Sequence, residues 1–161
     1  VKTRRPLLAA LFLPMMVAAA FAMSACTPAT VAGQNAVNAA RTQIGKPYVY
    51  GGASPAVGFD CSGLTLWAWQ QAGVRTMPRT SAAQYQWTTR ITKSQLQAGD
   101  LIFYSSDGPS GTVSHVSLYS GQNTQIQALK PGLNVNEYPM TYWADHVVGY
   151  GRVPASALPA T

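Results

Sequence analysis

Few side chains here can make or break covalent bonds: 161 residues carry Cys 2 and His 2. Cys61 follows Asp60 and opens a run in which Cys61, Leu64, Thr65, Ala68 and Ala72 fall on one helical face. Asp60 sits where an N-cap belongs. The thiol therefore lies in a first helical turn, among unpaired backbone N–H groups and at the positive end of the macrodipole. Both favour thiolate, and such sites lower a cysteine pKa from about 8.5 by several units. A thiolate nucleophile needs a base. In Val113-Ser114-His115-Val116-Ser117-Leu118-Tyr119, alternation puts Val116 and Leu118 on one face and His115, Ser117 and Tyr119 on the other. An imidazole on the more polar face of a half-buried strand suits proton exchange with a thiol and a leaving amine. A third group should orient the ring. Gln127, on the segment that returns after a turn at 120–123, has an amide oxygen that can accept the imidazole N–H facing away from the thiol. Parity decides this: an odd-length turn, or an equivalent bulge, puts Gln127 on the face of His115, whereas a plain two-residue turn puts it behind the sheet. The plainer alternatives are a buried structural cysteine or a Cys26–Cys61 disulfide, a satisfied structural histidine and an exposed strand amide.

The elements that must position these groups are readable in outline. Residues 36–44 read as a helix with Val37, Ala40 and Ile44 on one stripe, ended by Gly45. Residues 48–50 are extended, and 51–58 form a Gly-rich loop. A helix over 60–72 stops at Gly73, and a shorter one spans 81–87. Strands follow at 101–104, 112–119, 124–129 and 147–153. Helices first and antiparallel strands later argue an α+β fold. Residues 154–161 read as a mobile Pro/Ala-rich tail. Trp67, Trp69, Trp87 and Trp143 read mainly as core, with one or two available to line a cleft.

At the N-terminus, Lys2, Arg4 and Arg5 precede an apolar run over 7–23 broken only by Pro14, then Ser24, Ala25 and Cys26. That is the pattern of an export signal over residues 1–25, shorter than the roughly 20 apolar residues of a membrane anchor. Met23-Ser24-Ala25-Cys26 resembles a bacterial lipobox, in which the chain is cut before the cysteine and the thiol is lipidated; methionine stands where leucine is usual. The expected product is an exported envelope protein, either lipid-anchored through Cys26 to the outer face of the cytoplasmic membrane or secreted. It would have a linker over 26–35 and one domain over 36–153. Loss of residues 1–25 would lower the net charge from +6 to +3. The remaining basic residues are scattered, which argues against nucleic acid. Apolar content of 47% and 10% charged residues exclude a disordered chain. The cysteine count excludes a disulfide-dense scaffold and a four-cysteine zinc module. A zinc site from Cys61, His115 and His146 would lack any close ligand pair. Asp145-His146 is a rival acid–base pair, weakened because adjacent strand residues point apart.

Phe59-Asp60-Cys61-Ser62-Gly63-Leu64, preceded by Gly45-Lys46-Pro47-Tyr48-Val49-Tyr50-Gly51-Gly52, resembles the nucleophile region of the NlpC/P60 family of papain-like cell-wall peptidases. Pro78-Arg79-Thr80-Ser81 with Gln84, Leu96-Gln97-Ala98-Gly99-Asp100-Leu101, and Ser114-His115-Val116 with Tyr119 and Gly121 are similar to its later landmarks, in order. The resemblance implies a papain-like NlpC fold in which the helix carrying the nucleophile packs on an antiparallel sheet. It implies Cys61 as nucleophile, His115 as base and Gln127 at the third position, which is often histidine. It further implies the Tyr48 hydroxyl near the oxyanion, and Asp60 and Ser62 shaping the free-amine end of the substrate site. Ser117 stands where glycine is common, adding bulk beside the base that could narrow the cleft. The implied activity is cleavage of peptidoglycan stem peptides, most often between D-glutamate and the diamino acid, by a monomer without metal or cofactor. A non-catalytic envelope-binding protein, and an amidase or acyltransferase of the same fold, are the alternatives.

Overall fold

The computed structural model describes residues 28–160; the expected export signal and Cys26 lie outside the described residues. Three helices, α1 (Pro28–Arg41), α2 (Cys61–Gln71) and α3 (Ser81–Trp87), accompany eight strands. β1 (Ala53–Ser54) and β2 (Gly58–Phe59) form a small ribbon. The others are β3 (Thr89–Ile91), β4 (Leu101–Tyr104), β5 (His115–Gly121), β6 (Thr124–Gln127), β7 (Asn136–Pro139) and β8 (Val147–Arg152). They form one antiparallel sheet in the order β3-β8-β4-β5-β6-β7. The fold is α+β, as its sequence pattern predicts.

α2 is the central helix. Asp60 caps it, accepting the Gly63 N–H at 2.7 Å. Gly63 has to be glycine: a Cβ there would stand 2.0 Å from the Gly52 carbonyl oxygen, where the preceding loop crosses the first turn. Leu64 and Ala68 pack with Ala36, Val37 and Ala40 of α1 against Leu101, Phe103, Val116, Leu118 and Ile126 of the sheet. Burial of this apolar surface, at about 25 cal/mol per Å², holds α2 to the sheet.

Three expectations need correction. α1 begins at Pro28 and so occupies most of the segment read as a linker; its small residues Ala32 and Ala36 are buried, and tertiary packing rather than a strong local signal makes the helix. It also ends earlier, at Arg41, which leaves Ile44 in the following turn and 44% exposed. The C-terminal segment read as mobile packs Ala157 and Leu158 against the core, through a single 3₁₀ turn over Ala155–Ala157.

The β5–β6 hairpin resolves the parity question. Gln122 and Asn123 form a tight turn with φ of 50° and 58°. Gly121 pairs with Thr124, but beyond a bulge the partners are Tyr119 with Gln125 and Leu118 with Ile126. The bulge switches the register, so the odd-numbered residues of both strands share a face. His115 and Gln127 therefore lie on the same side.

Candidate functional site

Cys61 is the first residue of α2 and carries a free, half-buried thiol. It opens onto a cleft of about 420 Å³ whose walls include Tyr48, Tyr50, Asp60, Ser62, Arg79 and Ser114. Burial pushes the thiol pKa up, and the Asp60 charge adds to this; the Val116 N–H, and the N–H and hydroxyl of Ser62, lean towards thiolate. The expected lowering of the thiol pKa is thus corrected: burial outweighs the hydrogen bonds from Val116 and Ser62, and the shift is upward. Val116 directly follows His115, so the sulfur lies beside the start of β5.

His115 is buried, with 6% exposure, against the expectation of a half-buried strand. The second face of the sheet is covered as well, by Met140, Trp143 and Val147 packed on Ile102 and Tyr104. Burial lowers the imidazole pKa to about 4, only partly offset by the hydrogen bond with Gln127. Nε2 of His115 lies 2.6 Å from Oε1 of Gln127. An amide oxygen only accepts, so the imidazole donates from Nε2 and Nδ1 carries the lone pair. Among the described residues no hydrogen bond joins His115 to the Cys61 sulfur; the contact between the two segments runs through the Val116 N–H.

Asp60 is the hub of the cleft floor. Its carboxylate accepts from the N–H groups of Gly51 (2.9 Å) and Gly63 (2.7 Å), the Ser62 hydroxyl (3.3 Å) and both terminal nitrogens of Arg79 (3.0 and 2.7 Å). Burial acts to raise its pKa, yet the hydrogen bonds from Arg79 and Gly63 hold it below the ordinary carboxylate value. Arg79 also donates to the Ser62 hydroxyl at 3.0 Å. Gln84 locks the same corner: its Nε2 donates to the carbonyls of Ser62 and Pro78, and its Oε1 accepts from Thr65. Tyr48 reaches the cleft from a loop strapped by Tyr48 N–H to Leu133 O (3.0 Å) and Val49 N–H to Phe59 O (2.9 Å). Its hydroxyl pKa is raised by burial first, then by the negative charge that Cys61 and Asp60 can carry.

Two further sequence readings meet the structure here. Ser117 is buried away from the cleft and donates to Gln125 Oε1 at 2.6 Å, so its bulk does not narrow the opening. His146 lies in a 3₁₀ turn over Ala144–His146, immediately before β8, with Nδ1 donating to Ser105 O at 2.8 Å, so the discounted Asp145–His146 pair gains no support. Arg79 and Gln84 stand in the sequence motifs, but their spatial link to Asp60 and Ser62 spans 19 and 22 residues and has no local signal.

A helix bearing a cysteine, packed on an antiparallel sheet whose adjacent strands carry a histidine–glutamine pair, defines a papain-like α+β domain. The NlpC/P60 family model matches residues 45–152, and the chain belongs to the NlpC/P60 family. It is 37% identical over 109 residues to the Bacillus subtilis (strain 168) bifunctional muramidase/DL-endopeptidase CwlT, covering 68% of this chain and 33% of that protein. It is 39% identical over 122 residues to the Escherichia coli (strain K12) murein DD-endopeptidase MepH, covering 73% of this chain and 45% of that protein. An NlpC/P60 family protein from Bacillus cereus superposes with a TM-score of 0.71 at 32% identity, covering 79% of this chain and 40% of that one. The chain thus spans a third to about half of the length of these proteins.

Proposed function

We propose that this domain is a cysteine endopeptidase acting on the stem peptides of peptidoglycan. The observation that carries the reading is the Cys61 thiol at a helix N-terminus in an open cleft, next to a strand whose His115 is held in one tautomer by Gln127. His115 is the base. Its neutral ring, with the proton on Nε2, takes the thiol proton at Nδ1 as the sulfur attacks the amide carbonyl. The thiolate forms as substrate arrives, aided by the Val116 and Ser62 N–H groups. The Cys61 N–H, free in the first helical turn, and the Tyr48 hydroxyl receive the developing oxyanion. The imidazolium then protonates the leaving amine, and water, deprotonated by the same ring, releases the acyl-enzyme. Asp60, Ser62 and Arg79 shape the substrate end of the cleft. All these groups come from one chain, so the mechanism needs no second copy and a monomer suffices.

The bond cut is between D-glutamate and the diamino acid. The relative named a DL-endopeptidase supports this choice, whereas the one named a DD-endopeptidase makes the cross-link the competing outcome. The decisive experiment digests purified peptidoglycan and identifies the new termini by mass spectrometry. Cys61→Ala reduces release to background with the fold intact, and Gln127→Ala costs less turnover than His115→Ala. Unchanged release by Cys61→Ala sinks the proposal.

We further propose export and lipidation at Cys26, supported by the basic, apolar and small-residue order of residues 1–25. Expressed in a bacterium fed labelled palmitate, the full chain acquires label and Cys26→Ala does not. Label retained by Cys26→Ala refutes the anchor.

A further inference from the structure

We propose that Trp143 is a positioning residue for His115: its indole, presented by a left-handed backbone, walls the imidazole on the side away from the nucleophile helix and keeps water from it. This rests on the reading of His115 as base, and it concerns a residue outside the cleft.

The geometry is specific. The rings of Trp143 and His115 meet edge to face, with centroids 5.9 Å apart at 84°. Tyr104 closes the same pocket from β4, 5.8 Å from His115 and 6.1 Å from Trp143. The His146 ring lies against Trp143, with centroids 5.1 Å apart. Trp143 has φ 62° and ψ 27°, where bulky side chains are rarely found. Such a conformation persists only when the surroundings over-determine it, and here both ends of the turn are pinned. Gln125 Nε2 donates to the carbonyls of Pro139 (3.2 Å) and Tyr142 (3.5 Å). At the other end the Ser105 N–H donates to the His146 carbonyl at 3.0 Å, and His146 Nδ1 donates to the Ser105 carbonyl at 2.8 Å. The His146 N–H closes the turn on the Trp143 carbonyl at 3.0 Å. The chain thus builds an unfavourable backbone state into a braced turn, and the indole it presents lands on the imidazole.

The titratable groups around His115 are few. From β4 comes Tyr104, whose hydroxyl burial pushes up to about 12, leaving it neutral. From α2 comes Cys61, at the Val116 N–H. His146 lies beyond Trp143. From β6 comes the neutral amide of Gln127. Among the described residues no carboxylate balances an imidazolium in this pocket, so burial, to which the aromatic wall contributes, is the main influence on its protonation. A ring held neutral is one ready to accept the thiol proton, which links the wall to catalysis.

The test is an NMR titration of the two histidine rings in wild type, Trp143→Ala, Trp143→Leu and Trp143→Phe, with His146→Gln assigning the signals. In wild type the His115 ring stays neutral well below the ordinary imidazole value of about 6.5. Trp143→Ala moves its titration up by about one pH unit or more towards that value. Trp143→Phe moves it less, and the acid limb of kcat/KM follows in the same order. A merely structural role lowers kcat without moving either midpoint. If Trp143→Ala does not fold, Trp143→Leu, which keeps apolar volume, shifts the midpoint in the same direction. A His115 midpoint unmoved in every folded variant, or moved equally by Phe and by Ala or Leu, overturns the proposal. Because the titration reads the ring directly, it decides the wall even if His115→Ala retains peptidase activity and the assignment of the base fails.

Discussion

Two polar centres flank Cys61, and they are built from opposite materials. On the cleft side, Asp60 and Arg79 form a charged pair, with side-chain exposures of 12% and 38%. On the far face of the sheet lie neutral amides. Gln127 holds His115, and Gln125 accepts from the hydroxyls of Tyr104 and Ser117. The division follows solvent. Where water reaches the site, a full charge is tolerable and gives a carboxylate that can gather five donors around one helix end. Where water is excluded, an ion pair would carry a far larger desolvation cost than neutral amides do. The same division explains why glutamine, rather than a charged residue, suits the position beside His115. It can orient the ring while offsetting only part of the burial that disfavours the imidazolium.

The comparison is broken most severely by acid. A histidine with a folded pKa of about 4 and an unfolded value of about 6.5 binds fewer protons when folded. Stability is then complete above about pH 6.5 and is lost as pH falls towards 4, by about 3 kcal/mol in total. Asp60, whose carboxyl is also held below its ordinary value, loses its contribution only as pH falls through its own lower folded pKa, below about 4. Urea unfolding across this range should therefore show two windows, the upper from the neutral face and the lower from the carboxylates, Asp60 together with Glu137. His115→Gln should flatten the upper window alone. A flat profile between pH 6.5 and 4 in the wild-type protein would contradict the dry environment assigned to His115.

Removing the charged hub comes next. Asp60→Ala deletes the N-cap, worth about 1 kcal/mol, and leaves Arg79 with no carboxylate partner. Part of that second loss is screened, because the guanidinium is 38% exposed. The expected loss is about 2 kcal/mol, read by urea unfolding at pH 7. Turnover should fall as well, since the turn that carries Cys61 loses its anchor. Wild-type stability in this variant would show that the cap and the pair are ornaments of the cleft rather than its frame.

How far these two centres could be read from sequence follows from the range of the forces that make them. α2 announces itself through Asp60 as a cap and β4 through a continuous apolar run, while the Thr80 cap of α3 is seen in the structure. Cys61, His115 and Gln127 are legible because each lies in a short local pattern, and the last needed only the bulge after Tyr119. β7, made of Asn136, Glu137, Tyr138 and Pro139, has neither alternation nor strand propensity; pairing with β6 creates it. β1 and β2 are two residues each, too short for any period to show. The burial of His115 escaped because alternation reports two faces, not whether a later segment will cover the second one. Met140 and Trp143 do so from more than 20 residues downstream.

The mildest perturbation sharpens the contrast by moving it to open surface. Arg41 on α1 donates to both carboxylate oxygens of Glu137 on β7, at 3.3 and 3.0 Å. Those hydrogen bonds, with help from the hydroxyls of Ser120 and Thr124, hold the Glu137 carboxyl down to about 2. In geometry this pair rivals Arg79 with Asp60. Its setting differs: Arg41 is 42% exposed and Glu137 26%, so water and salt replace much of what is lost when one partner goes. Arg41→Ala should cost only about 0.5 kcal/mol, and the difference should shrink as ionic strength rises and screening shortens the range of the charges. Glu137 keeps the Thr124 hydroxyl at 2.9 Å and has solvent for its remaining lone pairs. Urea unfolding at low and high salt measures the effect. A loss matching that of Asp60→Ala would mean that exposure does not set the worth of a charge in this molecule, and the partition between a wet charged centre and a dry neutral one would lose its physical basis.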